Sequence, residues 1–127
     1  MTKEQILSMK PGRELDALVA EKVMEWKTNW LKTDWWEEIN PNTHRHKGLV
    51  KDFKPSADIA AAWEVAEQLQ KQGYVVCIEL LPYEETSVGV YEADPANQIA
   101  YAKSNKPAEA ICKAALLAVM GTVNPDE

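Results

Sequence analysis

His44-Arg45-His46-Lys47 is the stretch of this chain whose residue types could do chemistry. A guanidinium offers a planar fork of donors, an ammonium a point charge, and two imidazoles add further donors, so the run suits a phosphate group. His-x-His spacing can also chelate zinc. No cysteine or further histidine stands nearby to complete a site, and Glu37, Glu38 or Asp52 would have to help, so phosphate is the favoured reading over a metal. Between Thr43 and Lys54 four Lys/Arg face one Asp, a local excess of positive charge in a chain whose net charge is −6. A solvated basic loop is the bland alternative. Just upstream stand Trp35 and Trp36; adjacent residues cannot share one face of a helix or strand, so one of them is expected at the surface. Exposed rings stack on bases or anchor a protein interface. Tyr83 and Tyr91 are further stacking candidates.

Other groups are less promising. Glu37-Glu38 and Glu84-Glu85 are neighbours in sequence and read as solvated surface, because adjacent carboxylates rarely converge on one reacting bond. Cys77 and Cys112 lie in apolar runs and read as two buried, unactivated thiols. The chain offers no Ser/His/Asp arrangement that can be placed and no glycine-rich phosphate loop. These readings together disfavour an enzyme, and they call for no cofactor and no metal.

The elements that must position these groups follow from periodicity. Leu15, Leu18, Val19, Val23 and Trp26 recur at helical spacing, which predicts a helix over Glu14–Lys27. Lys54-Pro55-Ser56 opens a second helix, Ser56–Gln72, with Ser56 as N-cap, with Ile59, Ala62, Trp63, Ala66 and Leu69 as its buried stripe, and with Gly73 past its end. Pro107 starts a third over Pro107–Met120. Strands are predicted at Tyr74–Leu81, Ser87–Tyr91 and Ile99–Ala102, the first apolar on both faces and therefore covered on both. Residues 1–11 read as a flexible segment or short helix, residues 28–55 as an irregular connection rich in Trp and cations, and residues 122–127 as a mobile tail. The 127 residues form one α+β domain, a three-layer α-β-α sandwich around a small antiparallel sheet.

Charge narrows the partners. Residues 56–127 carry four Lys/Arg against eleven Asp/Glu, which opposes binding along a long nucleic acid but not the binding of one small nucleotide. No apolar run approaches the roughly 20 residues of a membrane span, and the first residues lack the pattern of a signal peptide.

Three blocks, GRELDALVAEKVMEW at Gly12–Trp26, SADIAAAWEVAEQL at Ser56–Leu69 and PAEAICKAALLAVM at Pro107–Met120, resemble the phage ABA sandwich domain family in the same order. The resemblance implies an α-β-α fold and a phage or prophage origin, hence action in the host bacterial cytoplasm. It carries over no catalytic residue. In that setting the sequence points to a non-enzymatic binder that sequesters a nucleotide-derived immune signal of the host. Its ligand-binding residues would be Trp35, Trp36, His44, Arg45, His46, Lys47, Tyr83 and Tyr91, in a homo-oligomer with pockets between subunits. The competing expectation is a protein-interaction module that caps or inhibits a host protein, with the same tryptophans as anchors.

Overall fold

The structure is a computed structural model. It describes residues 2–29, 32–40, 43–93 and 96–120, with backbone alone at 29, 32–35, 38–40, 43–46 and 96. Within these the class is α+β, consistent with the expected sandwich: four α-helices and two three-stranded antiparallel sheets. The tail at 121–127 lies outside the described residues.

The main core forms around the last helix. Strands β4 (Tyr74–Glu79), β5 (Thr86–Ala93) and β6 (Ala96–Ser104) make an antiparallel meander, each strand hydrogen-bonded to the next. Helix α4 (Pro107–Met120) packs on this sheet and against α3 (Ile59–Lys71). Eleven alanine-rich positions from Ala108 to Ala118 include only one residue, Glu109, that is not buried. Small side chains let α4 approach sheet and helix together, so it is enclosed nearly all round. Lys113 is the charged exception on that helix. It is 5 % exposed, and its Nζ donates to Glu109 Oε1 at 2.6 Å and to the Leu7 carbonyl at 2.8 Å. The second bond ties α1 (Lys3–Ser8) to α4, while the fully buried Ile6 plugs the core between them.

The first amphipathic helix is shorter than its apolar spacing predicts. Helix α2 (Arg13–Leu18) continues as a π-helical turn over Val19–Val23, and Glu25 at φ 59° ends it. The wide turn lets neighbours serve different neighbourhoods. Val19 and Val23 join the main core, whereas Ala20 joins a second cluster with Trp26 and Trp36. Trp26 therefore belongs to a strand and not to the helical stripe assigned to it.

The expected irregular connection is instead a second sheet. Strands β1 (Trp26–Asn29), β2 (Lys32–Asn40) and β3 (Thr43–Leu49) pair antiparallel in sequence order. Its aromatic and β-branched residues favour a pleated surface. The Asn40-Pro41-Asn42 turn signal falls between paired Asn40 and Thr43, so it marks a hairpin. A register shift after Trp36 leaves Lys47 as the extra residue, since Trp36 pairs with Gly48 and Glu37 with His46. Such a bulge re-aims the side chains beside it, and here consecutive Trp36 and Glu37 are both buried.

Three further expectations are corrected. Asp58, not Ser56, caps α3, its carboxylate accepting the Ala60 N–H at 3.1 Å. The buried stripe of α3 is Ala61, Ala62, Val65, Ala66 and Leu69, while Ile59 and Trp63 are 54 % and 56 % exposed. The small alanines face α4 because only they fit its close approach. Strand β4 is half-wet: Tyr74, Val76 and Ile78 turn inward, and Val75, Cys77 and Glu79 face solvent. Cys77 is thus an exposed thiol, and only Cys112 is buried.

Candidate ligand-binding cleft

Of the eight residues picked from sequence, Trp35, Trp36 and His44 to Lys47 lie on the β1–β3 sheet, Tyr91 lies on β5 and Tyr83 on the turn before it. Trp36 is 3 % exposed and packs with Trp26 and Ala20 as core, which corrects its assignment as a surface stacking platform. Trp35 pairs with Leu49 through the backbone, and His44, Arg45 and His46 pair with Ile39, Glu38 and Glu37 on the β2–β3 hairpin. The side chains of Trp35, His44, Arg45 and His46 lie outside the described residues. Lys47 is exposed and borders a hollow shared with Trp26 and with Glu64 and Lys71 of α3. Tyr83 and Tyr91 belong to the other sheet. Tyr83 stands fully exposed on the β4–β5 turn at φ 64°. Tyr91 accepts a hydrogen bond from Gln98 Nε2 at 3.1 Å.

A different cleft gathers suitable groups, and Trp36 lies against it. It has a volume of about 580 Å³, within the usual range for small-molecule sites. Its apolar lining is Ala17 from α2, Trp36 from β2, and Val50 and Phe53 from the segment after β3. Phe53 also packs on Trp26, with ring centroids 4.8 Å apart. The sheet positions these rings, since Trp36 is fixed by its ladder and the 3₁₀ turn Val50–Asp52 delivers Phe53 beside it.

Four cations border the same cleft. Arg13 opens α2, Lys51 and Lys54 flank Phe53, and Lys106 directly precedes α4; all four are exposed. They come from three separate segments of chain, which the fold brings together. Asp16 is the one carboxylate of the lining among the described residues. It is occupied within the protein, because its Oδ1 accepts the Ser56 N–H at 2.8 Å. Ser56 Oγ in turn accepts the Gly12 N–H at 3.0 Å. These bonds pin the wall around Gly12 to the loop before α3. Lys106 is also held in place, its backbone N–H donating to Ser104 Oγ at 3.0 Å while Ser104 Oγ donates to Glu109 Oε2.

The arrangement is an apolar, ring-bearing floor under a positive rim. It can accept a flat, partly apolar group with one or more negative charges. Sequence reasoning reached Trp36 and the local basic excess that includes Lys51 and Lys54. It missed Arg13, Phe53 and Lys106. Phe53 was legible as a lone aromatic flanked by two lysines, whereas Arg13 and Lys106 join only through the tertiary fold.

No helix among the described residues is long and apolar enough to cross a membrane. Searches among curated proteins and solved structures returned no match to this chain. The model of the phage ABA sandwich domain family matches residues 17–116, a span that runs from the second helix into the last and takes in both sheets and most of the cleft. The chain therefore belongs to the phage ABA sandwich domain family.

Proposed function

We propose that this phage protein is a non-enzymatic binder that sequesters a nucleotide-like small molecule in the cleft between α2, the β3–α3 segment and the start of α4. The carrying observation is the pairing of Phe53 and Trp36 with Arg13, Lys51, Lys54 and Lys106 around one cavity in a chain of net charge −6. The part-exposed Phe53 ring, backed by the buried Trp36, suits a base, and cations suit phosphates. In this reading tight retention is the whole activity, and withholding a host defence signal is its use. The protein acts in the host cytoplasm as a homo-oligomer.

The test is direct. Protein purified from a host making nucleotide signals is heated, and the released material is analysed by mass spectrometry. In parallel, ADP and a cyclic dinucleotide are titrated calorimetrically into the emptied protein. The reading expects a bound or titratable nucleotide, returned chemically unchanged after incubation. Failure of every nucleotide to bind would overturn it, and conversion of the ligand would overturn its non-enzymatic part.

A further inference from the structure

Far from the basic cleft along the chain, the β4–β5–β6 sheet carries a hollow of the opposite sign, with a volume of about 560 Å³. Its base is Ser87 of β5. Ser87 pairs with Glu79 of β4 on one side and with Lys103 of β6 on the other. Side chains so opposed lie about 4.5–5.5 Å apart at Cβ, so the three form one row across the sheet. Val88, the next residue, joins the core with α4, and Ser87 takes the other face, where it lines the hollow. Ser87 is 5 % exposed, and its hydroxyl has no hydrogen-bond partner among the described residues. None of their side-chain polar atoms is both sealed off and unpaired, so the access this hydroxyl keeps is through the hollow. A hydroxyl left open at the bottom of a pocket calls for a slender polar group that can reach it.

The rim decides the charge of that group. Glu79 and, from the β4–β5 turn, Glu84 and Glu85 line the hollow against a single cation, Lys103. None of the three carboxylates forms an ion pair with a described residue. Lys103 is turned over the Tyr101 ring, its Nζ 5.8 Å from the centroid. No three metal-ligating side chains among the described residues are grouped closely enough to hold a metal ion, so these carboxylates are spread for something longer than an ion. Tyr83 and Tyr101, both exposed and both in the lining, offer ring faces that attract ammonium groups and cover methylene chains. We infer that this hollow binds a linear polyamine. One terminal ammonium donates to Ser87 Oγ at the base, and the remaining ammonium groups lie among Glu79, Glu84 and Glu85. The methylene segments between them run along the tyrosines.

The inference does not depend on what fills the cleft. Calorimetric titration of spermidine into the full chain at low salt tests it, with circular dichroism of each variant as a control for folding. Saturable binding of one spermidine per chain is expected. Ser87→Ala alters no charge and should weaken that binding about tenfold, because a hydrogen bond to an ammonium is lost. Glu79→Gln should weaken it about two- to fivefold, and Glu84→Gln with Glu85→Gln by more. Lys103→Gln should tighten it. Glu64→Gln removes the same charge from an exposed position on α3 and should leave it unchanged. Absence of binding at millimolar spermidine would overturn the inference. Binding that Ser87→Ala leaves intact, or that Glu64→Gln weakens as much as Glu79→Gln, is attraction to net charge alone and would overturn the site. A trilysine peptide that binds much more tightly than spermidine would overturn the free polyamine as its occupant.

Discussion

Asp16 and Ser56, 40 residues apart in sequence, are joined by a hydrogen bond from the Ser56 backbone N–H to Asp16 Oδ1. Both are buried, and the bond fastens the wall of the cleft that carries Arg13 to the loop that carries Lys54. Asp16→Ala would leave the Ser56 N–H without an acceptor and should cost about 1–3 kcal/mol, whereas Asp16→Asn keeps an acceptor and should cost about 1 kcal/mol. Urea denaturation of the three proteins measures the order. Equal midpoints would show that the bond contributes nothing.

The positive rim should reveal itself through charge. Exposed cations contribute roughly 0.2–1 kcal/mol each, so Lys54→Ala or Lys106→Ala should weaken a bound nucleotide up to about fivefold, and the pair by more than either alone. Affinity should fall as sodium chloride rises, because the cations face solvent. Tyr83→Ala borders a different hollow, with Glu84 and Glu85, and should change nothing. Calorimetric titration of these variants with ADP checks all three statements.

Lys113 places an ammonium inside the protein. Its partners are Glu109 and the Leu7 carbonyl. Removing one member of a buried ion pair typically costs 3–5 kcal/mol because the other is left uncompensated. Lys113→Met should fall near 3 kcal/mol, since Glu109 keeps the Ser104 hydroxyl. Lys113→Met combined with Glu109→Gln should recover part of that loss. A double variant as unstable as the sum of the two single variants would argue that the groups do not interact.

The two thiols should behave differently. Burial pushes the Cys112 thiol far up from its ordinary pKa, with the charges of Asp16 and Glu109 adding to the effect. Cys77 is exposed and should react promptly with a thiol reagent, and Cys112 only on unfolding. The linkage has a definite sign. The folded thiol holds its proton while the unfolded one loses it above about pH 8.5, so stability falls as pH rises beyond that point, by up to about 1.4 kcal/mol per pH unit. A Cys112→Ala variant should lack that increment of slope between pH 9 and 10. Parallel profiles for the two proteins would contradict the assignment.

Periodicity carried the helices and turn chemistry carried the meander. Pro107 and Gly73 stand where their residue types place them, whereas Tyr74 to Glu79 reads as a strand covered on both faces and is exposed on one. Burial was harder to read. Ile59 and Trp63 have helical spacing with Ala62 and Ala66, yet the helix turns its alanines inward because α4 comes too close for larger groups. The β1–β3 sheet was obscured by its composition. His44 to Lys47 reads as a basic loop until the Asn40-Pro41-Asn42 turn is taken as the tip of a hairpin. The cleft could not be read locally at all, since Arg13, Phe53 and Lys106 are far apart along the chain and meet only when α2, the β3–α3 segment and α4 are assembled.

Trp36 lies in the lining of the cleft, next to Phe53 and sealed from bulk water. An indole in that position is an intrinsic optical gauge. A guest settling in the cleft would alter its surroundings, so emission from the unlabelled protein should register occupancy before any ligand has been identified.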